Sequence, residues 1–206
     1  MRYHKIPDEA IRRLPVYLRC VFLLSGKGHQ EVSSDTLSEF LGIKSWQIRK
    51  DFSYFGDFGR PGVGYDTAKL QKQLSRILRL DRVHKAALVG VGNLGSAILA
   101  FRGFSRYNLK IDAAFDSDPH KIGKKRSGVI VENVSTIDSL NKRGIDLGII
   151  AVPEEAAQKA AEDLIKGGVR GILNFSSQHI VAPKKVKIRN IDIAMDLASL
   201  PYYMPA

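Results

Sequence analysis

Cysteine and long hydrophobic runs are both scarce in this sequence, and each absence excludes a class of protein. Cys20 is the one cysteine among 206 residues, so the chain forms neither an internal disulfide framework nor a cluster of thiolate metal ligands. The apolar run around it, YLRCVFLL, predicts a buried and unreactive thiol. No stretch approaches the roughly 18 apolar residues of a membrane-spanning helix, and the first ten residues lack the apolar segment of a secretion signal. We therefore expect a cytoplasmic protein that does not cross a membrane, and we predict no metal site.

Acidic residues are in deficit as well. The chain has 32 Lys and Arg against 21 Asp and Glu, which gives a formal net charge of +11. The positive charge is denser in residues 1–80, with 14 basic and 8 acidic side chains, than in residues 81–206, with 18 and 13. An excess of this size favours polyanionic partners. Nucleic acid is the first candidate.

The first 80 residues contain four segments with the apolar spacing of helices. The first lies near the N-terminus, and the second, SSDTLSEFLG, has Ser33 or Ser34 as its N-cap and Gly42 as its stop. The third, KSWQIRKDFSYFG, has Ser45 as its N-cap, and the fourth, DTAKLQKQLSRILRL, has Asp66. This pattern predicts a small helical domain.

The second and third of these helices, in residues 33–56, match a helix-turn-helix, whose second helix can enter the major groove of DNA. The glycine-rich segment GRPGVG then predicts a β-hairpin that serves as a wing, with Arg60 at its tip for a phosphate or a narrow minor groove. The apolar residues of the third helix that compete for positions in the core are Trp46, Ile48, Phe52 and Phe55. The residues expected to contact DNA are Ser45, Gln47, Arg49, Lys50, Tyr54, Arg60 and Gly62.

The sequence leaves open which of these residues read base edges and which hold phosphates. A small helical bundle with a solvated basic face is the alternative interpretation of the same residues. We expect residues 1–80 to form a winged-helix DNA-binding domain.

From Lys85 the pattern changes to short apolar runs that alternate with helical segments. The runs AALVGV, IDAAFD, DLGIIAV, GILNF and a final KIRNIDIAM resemble strands, and LGSAILAF, TIDSLNKR and EEAAQKAAEDLIKGG resemble helices. Strands separated by crossover helices predict a parallel sheet covered on both faces. We therefore expect an α/β protein in which a Rossmann-like parallel-sheet domain, residues 81–206, follows the winged helix.

A glycine triplet follows the first of these strands. Gly90, Gly92 and Gly95 form G-x-G-x-x-G where the strand passes into a helix. In that setting the first glycine turns the chain, the second lets the backbone approach a pyrophosphate, and the third allows the helix to pack on the strand. Asp116 ends the second strand, 21 residues beyond Gly95, where a carboxylate can accept hydrogen bonds from both ribose hydroxyls. The combination predicts a dinucleotide pocket, whereas glycines that serve only packing are the alternative.

Asp116 would repel a 2′-phosphate, which favours NAD over NADP. Nearby basic residues weaken that preference unless they form a solvated loop; they are Lys121, Lys124, Lys125 and Arg126. Ligands of open α/β sheets bind at the carboxyl ends of strands, which adds the segments AVP and NFSS, although ordinary turns are an equal alternative. The residues expected to bind the coenzyme are Gly90, Val91, Gly92, Asn93, Leu94, Gly95, Asp116, Lys121, Ala151, Val152, Pro153, Asn174, Phe175 and Ser176.

Six segments carry a resemblance to a known family: RLPVYLR, VSSDTLSEFLG, IRKDFSYFGDFGRPGVGY, GVGNLG, AAFDSDPHKIG and GILNFSS. They closely resemble the Rex family of redox-sensing transcriptional repressors, over nearly the whole chain. The resemblance implies a homodimer that leaves operator DNA when NADH binds, whereas NAD⁺ competes weakly and is compatible with DNA binding. Two DNA-binding domains related by a twofold axis predict a pseudo-palindromic operator.

The resemblance also implies that the final helix, MDLASLPYYM in about residues 195–206, is exchanged between subunits. Arg13 and Asp192 match family positions that couple nicotinamide binding to domain orientation. Phe101 aligns with a tyrosine of that coupling in some relatives and lacks its hydroxyl. Without the family, Arg13 and Asp192 would be two unconnected surface charges.

Two other functions fit parts of the sequence. A small NAD-dependent oxidoreductase would need a general base near its substrate, but the five histidines are scattered, only His179 follows the end of a strand, and no substrate domain remains. A regulator that senses another nucleotide, such as coenzyme A, would share the glycine turn, but the 3′-phosphate of that molecule removes the ribose diol that Asp116 would bind. We therefore predict a repressor without catalytic residues, with no protein substrate and with NADH and NAD⁺ as its ligands.

Overall fold

The computed structural model describes residues 6–60, 62–138 and 140–204. The chain separates into two compact units, and the boundary lies between Arg82 and Val83. The N-terminal unit consists of α1 (Asp8–Gly26), β1 (Glu31–Val32), α2 (Ser34–Leu41), α3 (Ser45–Ser53), β2 (Tyr65–Asp66) and α4 (Thr67–Ile77). Strands β1 and β2 pair antiparallel, and the largest fully buried aliphatic side chains of this unit are Leu14, Leu18, Leu37, Ile48, Leu70 and Leu74.

Local sequence explains where these helices begin and end. The Ser33 hydroxyl accepts a hydrogen bond from the Thr36 backbone N–H at 2.9 Å, and Gly42 ends α2 with a φ of +69°. Asp66 caps α4 by accepting from the Lys69 N–H at 2.8 Å. The prediction that Ser45 caps α3 is wrong, because Ser45 is already the first helical residue and Lys44 stands before it without a side-chain cap.

Trp46 was expected in the core but does not pack there. Ile48 and Phe52 are one helical turn apart on the buried face of α3, and Trp46 lies about 200° around the helix from Ile48. Its side chain is therefore 57% exposed. Phe55 follows the end of the helix and is half-buried.

The predicted hairpin after α3 is present as a bridge between Arg60 and Gly64. Each of these residues donates its backbone N–H to the carbonyl of the other, at 3.2 and 3.1 Å. Arg60 therefore lies at the closing pair of the hairpin and not at its tip, which corrects the expected position. Gly62 and Gly64 have φ values of +78° and +102°, which favour glycine. Residue 61 lies outside the described residues.

The C-terminal unit contains a seven-stranded sheet of order β5-β6-β4-β3-β7-β8-β9, in which only the β5–β6 pair is antiparallel. The predicted parallel sheet is thus confirmed. The strands are β3 (His84–Val89), β4 (Leu109–Asp116), β5 (Lys125–Arg126), β6 (Val129–Asn133), β7 (Ile145–Ile150), β8 (Gly171–Asn174) and β9 (Lys187–Asn190). The helices are α5 (Asn93–Ala100), α6 (Glu154–Lys166) and α7 (Ile193–Ala198).

Two apolar clusters lie in this unit. One joins residues of β3, β4, β7 and β8 to the alanine-rich face of α6. The other contains Leu88 and Ala114 together with Ile98 of α5. Because the Cβ atoms of a strand alternate between its two faces, neighbouring residues such as Ala87 and Leu88 belong to different clusters.

Two local predictions between β4 and β7 are wrong. TIDSLNKR is not an α-helix: the described part of this region forms short 3₁₀ turns, Val134–Thr136 and Leu140–Arg143. Lys125 and Arg126 do not belong to a loop but form β5, which pairs with β6. The connecting Ser127 and Gly128 both have positive φ, +47° and +90°, as a type I′ turn requires.

The chain ends in an exposed apolar segment. Helix α7 begins at Ile193, two residues before the expected start, and a 3₁₀ turn follows at Leu200–Tyr203, where Pro201 has no N–H to continue an α-helix. Residues 205–206 of the expected swapped segment lie outside the described residues. Within the described ranges, the helices are too short or too polar to span a bilayer.

Candidate functional site

The glycine turn between β3 and α5 has the geometry that each glycine was expected to provide. Gly90 has a φ of +93°, and a side chain there would overlap the Ala151 carbonyl. A side chain at Gly95 would overlap the Gly90 carbonyl oxygen, so α5 packs this close to the strand only with glycine. A Cβ on Gly92, in contrast, would meet no atom within 4 Å. The backbone at Gly92 is thus open to a ligand.

A cleft of about 920 Å³ lies beside this turn. Strand β3 is flanked by β4 and β7, so the chain order reverses at β3, which is where open α/β sheets bind ligands. The lining includes Gly90, Gly92, Asp116, Val134, Ile137, Ala151, Val152 and Pro153. Its volume is within the range of cofactor pockets.

The Asp116 carboxylate ties the end of β4 to the glycine turn. Its Oδ2 accepts from the Val91 N–H at 2.8 Å, and its Oδ1 accepts from the Asp118 N–H at 2.9 Å. Lys121 Nζ lies 3.1 Å from the same Oδ2. Burial alone would raise the pKa of Asp116, but these hydrogen bonds outweigh it and hold the pKa below its ordinary value. The site therefore contains a carboxylate that is ionised at neutral pH.

Three donors leave this carboxylate little remaining capacity. An ionised carboxylate has about four acceptor positions, and Asp116 uses three of them for Val91, Asp118 and Lys121. Binding both hydroxyls of a ribose, as expected from the sequence, therefore requires Lys121 to move. Lys121 also lies 3.7 Å from Asp118, so it has a second anion to which it can turn.

The remaining residues of the predicted coenzyme set are divided between the cleft and the core. Ala151, Val152 and Pro153 line the cleft. Asn93 starts α5 and Leu94 is exposed in its first turn. The Val91 side chain belongs to the core, and its N–H is taken by Asp116.

Asn174, Phe175 and Ser176 do not line the cleft. The fully buried Asn174 amide donates to the carbonyls of Ser176 and Gln178 and to Asn190 Oδ1, and it accepts from the N–H and hydroxyl of Ser176. Phe175 packs against the core. The side chain of Asn174 thus holds the turn after β8 and has no group left for a ligand.

In the N-terminal unit, a buried carboxylate joins α1 to α3. Asp51 is fully buried and accepts a two-point hydrogen bond from the Arg13 guanidinium, one from the Tyr17 hydroxyl and one from Gln47 Nε2 at 2.8 Å. Burial would raise the pKa of Asp51, but hydrogen bonds from Arg13, Tyr17 and Gln47 hold it below the ordinary value. This network was not found from the sequence, since Arg13 and Asp51 are 38 residues apart.

Aromatic packing fixes the hairpin after α3. The Phe52 ring lies 4.8 Å from that of Phe58 and 5.3 Å, edge to face, from that of Tyr65. On its other side, Phe52 meets the ring of Tyr17 at 5.3 Å. The wing and α1 therefore pack against the same residue of α3.

The residues expected to contact DNA differ in their solvent exposure and in their hydrogen bonds to other side chains. Arg49, Lys50, Arg60 and Gly62 are exposed, and Ser45, Gln47 and Tyr54 are half-buried. Arg49 donates to the Ser34 hydroxyl at 2.7 Å, and Gln47 donates to Asp51. Exposed Trp46 on α3 and Val63 in the hairpin lie on the same two elements and were not in the predicted set.

The three residues expected to couple the domains have partners within their own units. Arg13 binds Asp51, and Asp192 caps α7 by accepting from the Met195 N–H at 3.0 Å. Phe101 is 60% exposed at the end of α5 and meets Phe104 edge to face at 5.2 Å. It lines a separate hollow of about 980 Å³ beside β4 and β6, and Gly90, Gly92 and Gly95 are not part of that lining.

Cys20 is buried in α1, as expected. Burial raises the pKa of its thiol to about 11, so the thiol stays protonated at neutral pH. Within the described ranges, His, Cys, Asp and Glu side chains form no cluster of three that would hold a metal ion.

Comparisons with known proteins agree with this division of the chain. Residues 5–53 match the family described as "Putative DNA-binding protein N-terminus", and residues 81–178 match the family described as "CoA binding domain". A redox-sensing transcriptional repressor Rex from Lactobacillus gasseri is 40% identical over 97% of this chain and 94% of the relative.

Solved structures of RSP, a Rex-family repressor, are similar over nearly the same extent. The complex of RSP with β-NAD⁺ and operator DNA is 34% identical, has a TM-score of 0.89, and covers 97% of this chain and 92% of RSP. The complex with β-NADH is 32% identical, has a TM-score of 0.87, and covers 96% and 93%. Both units of the chain thus have counterparts in one regulator.

Proposed function

Because this chain belongs to the Rex family of redox-sensing transcriptional repressors, we propose that it binds operator DNA and leaves that DNA when NADH occupies its cleft. One observation carries the proposal: a helix-turn-helix with an exposed basic face and an open glycine turn beside Asp116 occur in a single chain. The N-terminal unit takes the DNA, and the C-terminal cleft takes NADH or NAD⁺. The RSP complexes with operator DNA and with β-NADH support both assignments.

Charge distinguishes the two forms of the coenzyme. The oxidised nicotinamide ring carries a positive charge that must be desolvated in an apolar pocket, whereas the reduced ring is neutral. A tenfold preference for NADH needs about 1.4 kcal/mol. The buried, ionised Asp116 disfavours a 2′-phosphate, so NADPH should bind less well.

NADH releases DNA only if it binds the DNA-incompetent arrangement better than the DNA-competent one. A ligand with equal affinity for two states shifts no population between them. Arg13, Phe101 and Asp192 are the residues to which the family resemblance assigns this coupling. A rearrangement of the domains would have to keep or exchange the contacts that these residues make. Those contacts are with Asp51, with Phe104 and with the N-terminus of α7.

We assign the chain a regulatory and not a catalytic role. The cleft is lined by glycines, apolar side chains and charged groups, with no histidine among them. His120 and His179, which follow the ends of β4 and β8, are exposed and are not part of that lining. A repressor acts where the DNA is, and we therefore place the protein in the cytoplasm.

The apolar C-terminal segment supports a homodimer with an exchanged helix. Side chains of this segment are between 49% and 88% exposed, and they are Ile193, Met195, Leu197, Leu200, Tyr202, Tyr203 and Met204. A contiguous apolar surface of this kind marks an interaction site in a soluble protein. A second copy of the chain is the partner that the family resemblance implies, and its twofold symmetry predicts a pseudo-palindromic operator.

Replacing Leu197 by aspartate should weaken this dimer. Leu197 is 64% exposed in the single chain, and a twofold interface contains each substitution twice. Loss of two buried leucines, each worth about 1.5–3 kcal/mol, should raise the dissociation constant at least about a hundredfold. Sedimentation velocity over a concentration series measures it. Asp196→Asn, a neighbouring polar exchange on α7, is the control, and an unchanged dimer in Leu197→Asp would exclude this segment from the interface.

The proposed function is tested by ligand titration into a complex of the protein with labelled duplex selected from a random pool. NADH should lower the apparent DNA affinity at least about tenfold, since a change of that size needs a differential affinity of about 1.4 kcal/mol. NAD⁺ should leave most of the complex intact. Coenzyme A is a second candidate effector, because residues 81–178 match the family described as "CoA binding domain". If coenzyme A and not NADH releases the DNA, coenzyme A replaces NADH as the effector. Unchanged DNA affinity at saturating NADH would overturn the proposal.

A further inference from the structure

The side chain of Gln47 is held in one orientation by a hydrogen bond within the N-terminal unit. Its Nε2 donates to Asp51 Oδ1 at 2.8 Å across one turn of α3. Asp51 in turn is fixed from α1 by Arg13, at 2.8 Å from Nη2 to Oδ1, and by the Tyr17 hydroxyl. The side chains of Arg13, Tyr17 and Asp51 together therefore restrict the orientation of the Gln47 amide.

The chemistry of Asp51 decides which end of the amide points inward. An ionised carboxylate only accepts hydrogen bonds, and the Arg13 guanidinium keeps Asp51 ionised. The amide nitrogen of Gln47 must therefore face Asp51, because its carbonyl oxygen would be repelled there. The oxygen Oε1 and the second N–H of Nε2 remain for other partners.

This remaining pair matches one base in the major groove. Adenine presents an acceptor, N7, beside a donor, the N6 amino group, and a glutamine with one N–H and one oxygen free pairs with both. Guanine presents two acceptors, which the carbonyl oxygen of Gln47 would oppose. The half-buried Gln47 lies on α3 beside exposed Trp46 and Lys50.

We propose that Gln47 reads an adenine in each operator half-site and that Asp51 is the positioning residue that fixes the polarity of its amide. The proposal rests on the proposed function, because it assumes that α3 enters the major groove. Holding the side chain in advance lowers the rotamer entropy lost on binding. Arg49 differs, because its guanidinium is bound to Ser34 on α2 and carries a charge that suits a phosphate.

The test uses the full-length protein and a duplex that it selects from a random pool. Each adenine of that duplex is replaced in turn by 7-deazaadenine, which lacks N7, or by purine, which lacks the N6 amino group. With the unaltered protein, both replacements at one adenine per half-site should weaken binding about tenfold. With Gln47→Ala, the same replacements should have no further effect, whereas the effects at all other positions persist.

Gln47→Glu separates a base reader from a structural side chain. Its carboxylate offers only acceptors, so the preferred base at that position should change from adenine to cytosine, whose N4 amino group donates. Tyr17→Phe is the matched control: it removes one donor to Asp51 and leaves Gln47 Nε2 in place, so stability falls while the base preference is kept. An unchanged base profile in both Gln47 variants would overturn the proposal, while failure to select any duplex would overturn the proposed function instead.

The positioning by Asp51 has its own readout in the DNA-free protein. One of the two side-chain amide protons of Gln47 should exchange with solvent at least about tenfold more slowly than the other, because Asp51 accepts it. Nuclear magnetic resonance of ¹⁵N-labelled protein measures both protons. Equal and fast exchange of the two would show that Asp51 does not orient the amide.

Discussion

Replacing Asp51 by alanine should lower the free energy of unfolding of the N-terminal unit by about 3 kcal/mol. Removing one partner of a buried ion pair leaves the other uncompensated, which costs about 3–5 kcal/mol. The lower end of this range applies here, because the Arg13 side chain is 29% exposed and water can solvate its guanidinium when Asp51 is removed. The Tyr17 hydroxyl, which is buried, loses its acceptor as well. Urea unfolding followed by the signal of Trp46, which lies on α3, measures the change.

Acid should remove the same stabilisation from the unaltered protein. The pKa of Asp51 is lower in the folded chain than the ordinary value near 4. Its contribution is therefore complete above about pH 4 and is lost as the pH falls through the lowered pKa. The difference in stability between the unaltered protein and Asp51→Ala should shrink steadily below pH 4.

Asp57→Ala is the matched control, because Asp57 is an exposed aspartate six residues along the same segment. It should change the free energy of unfolding by no more than about 0.5 kcal/mol. A loss below about 1 kcal/mol in Asp51→Ala would contradict the role given to the network.

Gly92→Ala should reduce NADH affinity while leaving the fold intact. The backbone at Gly92 has an ordinary φ of −79°, and a Cβ there meets no protein atom within 4 Å. The methyl group would instead occupy the space through which a pyrophosphate approaches the backbone. We expect NADH affinity to fall at least about tenfold, or about 1.4 kcal/mol, by calorimetry. The thermal midpoint should remain unchanged.

Gly95→Ala should lower the stability of the fold as well as the NADH affinity. Its Cβ would overlap the Gly90 carbonyl oxygen, so α5 must move away from β3. Overpacking of this kind costs about 1–3 kcal/mol, and NADH binding is lost with the displaced helix. Gly26→Ala, at the end of α1 and with no atom near its Cβ, is the control for both variants. Equal stability of Gly92→Ala and Gly95→Ala would contradict the separate roles of the two glycines.

The glycine turn follows from local sequence. A strand, a tight turn and a helix are adjacent in the chain, so the three glycines are positioned by their neighbours. The caps Ser33, Gly42 and Asp66 belong to the same category. Such features depend on contacts within about five residues, and a single sequence contains them.

The predictions that the structure changes concern two kinds of side chain. Some have partners far along the chain, and others lie on the face of a helix opposite to its buried face. Asn174 was expected in the coenzyme site because it follows a strand, but Asn190, 16 residues later, and the turn after β8 use its amide. Trp46 was placed in the core because it is apolar, although Ile48 and Phe52 fix the buried face of α3 on the other side.

Strand β6 was missed because charges surround it. Its central residue, Val131, is buried and pairs with Ala114 of β4. The segment before the strand, KKRSG, nevertheless has the composition of a solvated loop. The Ser127–Gly128 dipeptide was the available signal, since Ser-Gly marks turns in a sequence. In the structure both residues have positive φ and join β5 to β6.

The two-residue strand β5 also determines how the sheet ends. An uncovered parallel strand would present a row of unpaired N–H and C=O groups to any extended peptide, which is a route to aggregation. Here that margin of the sheet consists of Lys125 and Arg126, both exposed, followed at once by the turn back into β6. A segment so short and so positively charged offers a foreign strand few hydrogen bonds and repels another copy of itself. This margin of the sheet is therefore protected against edge-to-edge pairing with another chain.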